Sequence, residues 1–191
     1  RFGAGPEHII LRQPLPEPGT EISESVIPER TESVHGQEGI LTDLLSQQDF
    51  SSAMAHFASL QHSSDDDAAT ARDQILSKAR ALIEARRFEL AEDLLQQYLV
   101  MAHRDVDAHF LLAEVYHGQG DDRAAIDQLY EAKGYAYRPA MVQRITARIR
   151  EYVAALVQVM KRSDDPAALL LLYQHLVQQE PDYAPYFMGL A

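Results

Sequence analysis

The chain has 191 residues, of which 46% are hydrophobic, and this is enough apolar material for one or two folded domains. Its 29 acidic and 17 basic side chains give a formal net charge of −12, which repels both the phosphate backbone of nucleic acids and an anionic membrane surface. We therefore expect neither a nucleic-acid partner nor insertion into a membrane. Because there is no cysteine, disulfide bonds, thiolate nucleophiles and cysteine-ligated zinc sites are excluded.

Residues 1–37 differ in composition from the rest of the chain. They combine prolines and glycines with an excess of acidic side chains, so we expect an extended arm that does not continue as helix. One interpretation is a disordered linker that follows a membrane anchor or a processed end. The other is a short strand at residues 8–12 that pairs with another chain or docks in a groove. Since the chain begins at Arg1, we expect that an upstream segment, such as a signal peptide, has been removed.

Residues 38–191 carry a two-helix pattern that recurs, with its clearest copy at residues 106–139. In this copy, small and large apolar side chains lie at helical spacing on either side of a Gly-Asp break. The same classes of side chain occur in the same order in the adjoining copy at residues 72–105. The matched positions are Ala113 with Ala79, Tyr116 with Leu82, Ala125 with Ala91, and Leu129 with Leu95. This agreement predicts two helical hairpins of the same length and phase.

Further copies extend the predicted repeat domain to both sides. The copy at residues 34–67 precedes these two, and the four extra residues that separate it from the next copy are expected in a polar loop, "SSDDDA". The copy at residues 150–183 follows them, and the ten extra residues before it are expected to prolong a helix. A half-repeat at residues 184–191 comes last.

Capping residues predict where several of these helices begin and end. Asp105, Asp121 and Asp165 are expected N-caps, because their carboxylates can accept hydrogen bonds from free backbone amides. Pro166 is tolerated at a first helical position. Gly120 is expected to adopt the left-handed conformation that ends the preceding helix.

The pattern resembles the tetratricopeptide repeat, a family whose period is about 34 residues. The matching residues of the clearest copy are Leu112, Ala113, Tyr116, Gly120, Asp121, Ala125, Leu129, Ala132 and the closing Pro139. The copy departs from the family at His109, where a Trp is usual. The resemblance implies an all-α fold, a right-handed superhelix of stacked helix-turn-helix repeats that follows an extended N-terminal arm. It also implies that Ala53, Ala91 and Ala125 lie at equivalent close helix crossings.

The resemblance further implies a groove lined by the first helix of each pair, which would bind a peptide or a partner helix. The family's lining positions correspond here to Arg80, Ile83, Glu84, Phe110, Glu114, His117, Gln158, Lys161 and Arg162. Chaperone-binding members use a Lys, Asn and Arg clamp for a C-terminal carboxylate, and that clamp is absent from this sequence. We expect alanine at Phe110 to weaken partner binding rather than folding.

Side chains that could catalyse a reaction or bind a metal are scattered. His103, His109 and His117 form the densest histidine group, but His109 and His117 are two helical turns apart, too far to share a zinc ion. Acidic runs at residues 65–67 and 121–122 fall in expected inter-helix loops, where capping and solvation explain them. We therefore expect no catalytic residue, cofactor or metal ion. A self-contained hydrolase would require such carboxylates to converge in a pocket with raised pKa values.

Basic side chains gather on the prolonged helix, where they have two interpretations. The group comprises Arg138, Arg144, Arg148 and Arg150, with Lys161 and Arg162 further on. It would form either a dock for an acidic partner or for the chain's own acidic arm, or a solvated face with Glu151. An apolar stripe along the same helix is expected to be buried, and it consists of Ile145, Ile149, Tyr152, Leu156 and Met160.

The half-repeat leaves Phe187 and Leu190 without a second helix, so we expect further repeats, another domain or a second copy of the chain to cover them. The sequence favours a non-catalytic scaffold that binds a protein or peptide. The alternative is the recognition or regulatory region of a larger enzyme, such as an envelope aspartic protease or a transferase. We expect a bacterial protein in the periplasm or cell envelope, with the cytoplasm as the alternative.

Overall fold

The computed structural model describes residues 32–163 and 166–189, and within these ranges it describes all side chains except those of residues 32–38 and 187. The described residues form nine α-helices and no strand. The helices are α1 (Glu32–Gln47), α2 (Phe50–Gln61), α3 (Asp65–Glu84), α4 (Phe88–Met101), α5 (Val106–Gln119), α6 (Asp122–Tyr135), α7 (Pro139–Arg162), α8 (Pro166–Gln179) and α9 (Ala184–Met188). The all-α prediction is confirmed for this part of the chain.

The helices stack mainly against their neighbours in sequence, from α1 through to α9. Contacts also form between alternate helices: α1 contacts α3, α3 contacts α5, and α2 contacts α4. Helices α1, α3 and α5 therefore lie in one row, and α2 and α4 lie together beside it. The strand predicted at residues 8–12 lies outside the described residues. Helix α1 begins at Glu32, so the end of the stretch 1–37 is helical, contrary to expectation.

Three of the turns between paired helices share one backbone conformation. Gln48, Arg86 and Gly120 have positive φ values of 63°, 55° and 89°, and each occupies the same place in its predicted copy. In each turn the next residue donates its backbone N–H to a carbonyl five residues earlier. These hydrogen bonds are Asp49 N to Leu44 O (3.1 Å), Arg87 N to Leu82 O (2.9 Å) and Asp121 N to Tyr116 O (2.9 Å). The spacing predicted from the side-chain pattern thus reappears in the backbone.

The alanines expected at helix crossings are fully buried in the second helices α2, α4 and α6. Ala53, Ala91 and Ala125 each have 0% exposed surface. Around them, two hydrophobic clusters of buried residues meet at α5, which supplies Leu112 to the first cluster and Ala113 to the second. Because α5 is buried on opposite sides, it joins the two halves of the described stack.

The caps agree with the prediction where the structure describes them. The Asp105 carboxylate accepts hydrogen bonds from the backbone N–H groups of residues 107 and 108, and the Asp121 carboxylate accepts one from that of residue 124. Gly120 ends α5 in the left-handed conformation, and Pro166 is the first residue of α8. Asp165 lies outside the described residues.

The expectation of a polar loop at "SSDDDA" is wrong. Ser64 is the N-cap of α3 and accepts from the backbone N–H of Asp67, so Asp65, Asp66 and Asp67 form the first turn of that helix. Carboxylates are favourable there because the N-terminal end of a helix carries a partial positive charge. Asp122 is likewise the first residue of α6, not part of a loop. The four extra residues of this copy therefore lengthen a helix.

Helix α7 is long, and α8 after it is less well covered. Helix α7 has 24 residues, as the ten-residue extension predicted, and its stripe buries Ile145, Ile149 and Tyr152 while Leu156 and Met160 are half-buried. In α8 only Leu176 is fully buried, and Leu171 remains 65% exposed. None of the described helices combines the length and the apolar character needed to cross a membrane. The side chain of Phe187 and all of Leu190 lie outside the described residues.

Candidate binding groove

A cavity of about 240 Å³ lies among the first helices α3, α5 and α7. Five of the nine predicted groove residues line it: Arg80, Ile83, Glu84, Phe110 and Glu114. Asp107, Leu111 and Arg144 complete the wall. The structure thus brings together residues of two predicted copies with an arginine from the extension of α7.

The other four predicted groove residues do not line this cavity. His117 lies near the end of α5, and its ring stacks on Tyr152 with centroids 4.1 Å apart. Gln158, Lys161 and Arg162 are exposed near the end of α7.

Phe110 is a buried residue of the cavity wall, with 4% of its surface exposed. The guanidinium groups of Arg144 and Arg148 lie over its ring, at 4.5 Å and 5.7 Å from the centroid. Replacing it with alanine would remove core packing as well as groove surface. The expectation that this variant affects binding and leaves folding unchanged therefore needs correction.

A second and larger cavity, of about 440 Å³, adjoins the first and shares Asp107 with it. Three arginines of its wall come from α3, from the α4–α5 loop and from the residue before α7: Arg72, Arg104 and Arg138. Tyr137, which is 82% exposed, lies beside them. The apolar part of the wall consists of Val106, Ala136 and Met141.

Arg72 organises the polar wall between the two cavities. Its Nε and Nη2 atoms donate to the two carboxylate oxygens of Asp105 at 2.6 Å and 2.9 Å, and Nη2 also donates to Asp107 at 2.7 Å. The hydroxyl of Tyr98 donates to Asp105 at 2.8 Å. This network ties α3 and α4 to the N-terminus of α5, so it fixes the position of α3 relative to α5, two of the three helices that form the groove.

The same network sets the ionisation of its members. Burial by itself would raise the pKa of the Asp105 carboxyl, but hydrogen bonds from Arg72 and Tyr98 outweigh burial and hold that pKa below its ordinary value. Burial and the hydrogen bond to Asp105 raise the pKa of the Tyr98 hydroxyl. Asp105 is therefore an ionised structural carboxylate, and Tyr98 is a neutral donor.

The basic side chains of α7 divide into paired and unpaired groups. Arg148 contacts Glu114 at 3.6 Å and Glu151 at 3.3 Å. Arg150 lies 3.6 Å from Glu180 and stacks over a tyrosine ring. Arg138 and Arg144 form no ion pair with any residue that the structure describes, and each lies over an aromatic ring. Only part of this basic group therefore fits the interpretation as a solvated face.

The histidines make structural contacts. One ring nitrogen of His109 lies 2.9 Å from the Gln128 side-chain oxygen, and the other lies 2.9 Å from the His103 backbone carbonyl. His117 pairs with Asp122 at 2.5 Å. Among the side chains that the structure describes, no three ligating groups gather closely enough to hold a metal ion.

Several wall residues of the larger cavity were not predicted. Arg104, Asp107 and Tyr137 lie at helix junctions, outside the first-helix positions that the family pattern highlights. In the sequence, only Arg138 pointed to this cavity, because it belongs to the basic group already identified there.

Comparison of the chain with models of known protein families, with curated proteins and with solved structures found no match. The structure itself shows an all-α stack whose helices pack mainly against their sequential neighbours. The function of the groove therefore has to follow from its own geometry and charge.

Proposed function

We propose that this chain is a non-catalytic scaffold of tetratricopeptide-like repeats, coiled into a right-handed superhelix, whose groove holds a peptide or a helix of another protein. Support for the repeats comes from the three turns at Gln48, Arg86 and Gly120, which share one conformation at the spacing found in the sequence. A turn conformation repeated at such spacing is typical of stacked helical pairs.

The observation that carries the proposal is the cavity among α3, α5 and α7. Its wall contains Arg80, Ile83, Glu84 and Glu114, all of which the sequence analysis predicted only from the lining positions of the repeat. A concave, partly apolar surface with a few charged groups is the usual form of a peptide-binding groove.

The polar chemistry of the groove favours binding over catalysis. General acid catalysis by a carboxyl group calls for a raised pKa, whereas the pKa of Asp105 is lowered by its ion pair with Arg72. Asp107 is engaged by the same arginine. These carboxylates position helices and do not need a reacting substrate to explain them.

Site-specific photo-crosslinking in the cells that naturally make the protein tests the proposal. A photoreactive residue at Glu84, in the groove, is expected to give a discrete adduct with another protein. The matched control is Val100, which is 83% exposed on α4 and lines neither cavity. No adduct from position 84, or the same adduct from both positions, would contradict a groove function.

A second candidate is the recognition region of a larger enzyme. It is favoured by the exposed apolar surface of α8, where Leu170 and Leu171 are 45% and 65% exposed. Large exposed apolar side chains mark contacts with another domain, further repeats or a second copy. A natural gene product that continues into a catalytic domain would favour this candidate over the scaffold.

We also propose that the protein acts in the cell envelope, with the cytoplasm as the alternative, because an acidic, proline-rich arm suits an exported chain. Fractionation of the native cells distinguishes the two compartments.

A further inference from the structure

The two adjoining cavities concentrate arginines that have no acidic partner. Arg104 and Arg138 line the larger cavity, and Arg80 and Arg144 line the smaller one. None of the four forms an ion pair with a residue in the described part of the chain. Each is exposed, so its guanidinium remains available to a ligand.

Three of the four carboxylates in the same walls already contact an arginine. Asp105 and Asp107 are held by Arg72 at 2.6 Å and 2.7 Å, and Glu114 lies 3.6 Å from Arg148. Only Glu84 lacks a cationic partner among the described residues. The two walls together contain five arginines and four carboxylates, so this surface is positive by one charge, although the whole chain carries −12.

Two of the unpaired arginines lie over aromatic rings. Arg144 lies 4.5 Å from the ring centroid of Phe110, and Arg138 lies 5.5 Å from that of Tyr137. A guanidinium that lies over a ring can still use its N–H edge, and that edge matches a carboxylate in two parallel hydrogen bonds. Stacking also reduces the entropy lost when the side chain is fixed by a ligand.

The rest of the walls is apolar. Ile83 and Leu111 contribute to the smaller cavity, and Val106 and Met141 to the larger one. The exposed ring of Tyr137 offers a further stacking surface. A ligand that fills both cavities would therefore carry apolar or aromatic groups between its negative charges.

We infer that the groove binds an acidic segment of another protein, one in which Asp or Glu side chains alternate with aromatic or aliphatic ones. This inference rests on the proposed function and deepens it by naming the partner's chemistry. The carboxylates pair with Arg80, Arg104, Arg138 and Arg144, and the apolar side chains enter the two cavities on either side of Asp107. Recognition uses side-chain carboxylates, so the segment needs no free C-terminus.

A nucleic acid fits this surface less well than a peptide. Its continuous phosphate charge would be repelled by unpaired Glu84, which shares the wall of the smaller cavity with Arg80 and Arg144. Isolated carboxylates can be placed opposite individual arginines, which avoids that repulsion.

The test is selection from a library of random dodecapeptides displayed within a host loop, so that no peptide has a free terminus. The intact chain is expected to enrich peptides with Asp or Glu next to aromatic or aliphatic residues. An end-blocked synthetic copy of the strongest binder then allows affinity to be measured by fluorescence anisotropy. We expect Arg138→Gln and Arg144→Gln each to weaken binding about tenfold, through loss of a charge-assisted hydrogen bond.

The matched control is Arg123→Gln, since Arg123 is exposed on α6 and lines neither cavity. We expect it to leave the affinity unchanged, while raised ionic strength weakens the wild-type affinity. All three substituted side chains are exposed, and thermal unfolding of each variant verifies that the fold is intact.

Other results would overturn the inference in distinguishable ways. Enrichment of neutral or basic peptides whose binding is lost in Ile83→Ser would refute the acidic partner and leave the groove function standing. No enrichment at all would refute both. Displacement of the selected peptide at equal affinity by oligouridylate would reassign the surface to nucleic acid. Displacement by a synthetic peptide of residues 17–31 would reassign it to the chain's own arm.

Discussion

Arg72 links three helices through two carboxylates, and its removal isolates a buried charge. The Asp105 side chain is only 7% exposed, so without Arg72 its carboxylate would keep the hydrogen bond from Tyr98 and lose its counter-charge. We expect Arg72→Met to lower the free energy of unfolding by about 2–3 kcal/mol, less than for a fully buried pair because Arg72 is 34% exposed. Urea denaturation measures the change, and Arg123→Met, at an exposed position, should shift stability by less than about 0.5 kcal/mol. Equal effects of the two substitutions would show that the network contributes nothing.

The stability that Arg72 supplies should depend on acidity. The folded-state pKa of Asp105 lies below its ordinary value of 3.8, so the folded chain binds this proton less readily than the unfolded chain. The contribution is then complete above the ordinary value and is lost as the pH falls through the lower, folded-state pKa. The gap in unfolding free energy between wild type and Arg72→Met should stay constant from about pH 7 to pH 5 and narrow below about pH 4. A gap that stays constant through the acid range would argue against the ion pair as its source.

At the scale of one element, the turn between α3 and α4 contains residues that do not favour its backbone conformation. Arg86 has a φ of 55°, which is strained for a residue with a side chain but not for glycine, and Arg87 is an N-cap without a side-chain hydrogen bond. The equivalent turn before α6 has Gly120 and Asp121, and the aspartate does cap its helix. We expect Arg86→Gly with Arg87→Asp to raise the free energy of unfolding by about 1–2 kcal/mol.

Chemical denaturation of that double variant against wild type measures the gain. The reverse exchange, Gly120→Arg with Asp121→Arg, is the control and should destabilise by a similar amount. A loss of stability in the first variant would mean that the two turns are not equivalent.

The sequence predicted the helical pairs because their turns and crossings depend on local chemistry. Ala91 and Ala125 must be small wherever two helices cross closely, and Gly120 suits a positive φ. Prediction from the sequence failed where side chains distant in the sequence, or a capping residue other than the expected one, determine the structure. Phe110 occupies a lining position, but Arg144 and Arg148, which lie far along the chain on α7, cover its ring. No local pattern encodes that contact.

The starts of two helices were also predicted incorrectly from the sequence. Three aspartates in succession suggested a loop, yet Ser64 caps them and makes them the first turn of α3. Composition also misjudged the end of the arm, since α1 already begins at Glu32. The larger cavity escaped prediction because its walls come from helix junctions, whose relative positions are set by packing.

At the scale of the whole molecule, α5 joins the parts of the chain that the proposed function needs. Its residues enter both hydrophobic clusters, its N-terminus receives the Arg72 network, and Glu114 and Phe110 reach the groove. In a stack where each pair contacts only its neighbours, such a central helix transmits packing changes from one half to the other. Binding in the groove and stability of the stack should therefore be coupled through α5.

The proposed groove requires that the helical pairs are equivalent units, because only then do their first helices form one continuous surface. The most direct measurement is the backbone φ at Gln48, Arg86 and Gly120, from nuclear magnetic resonance couplings and intraresidue amide-to-α-proton Overhauser effects. Positive φ at all three residues is predicted, each followed by an amide protected by the carbonyl five residues earlier. A negative φ at Arg86 would show that the turn between α3 and α4 differs from the other two, so the helical pairs would not be equivalent.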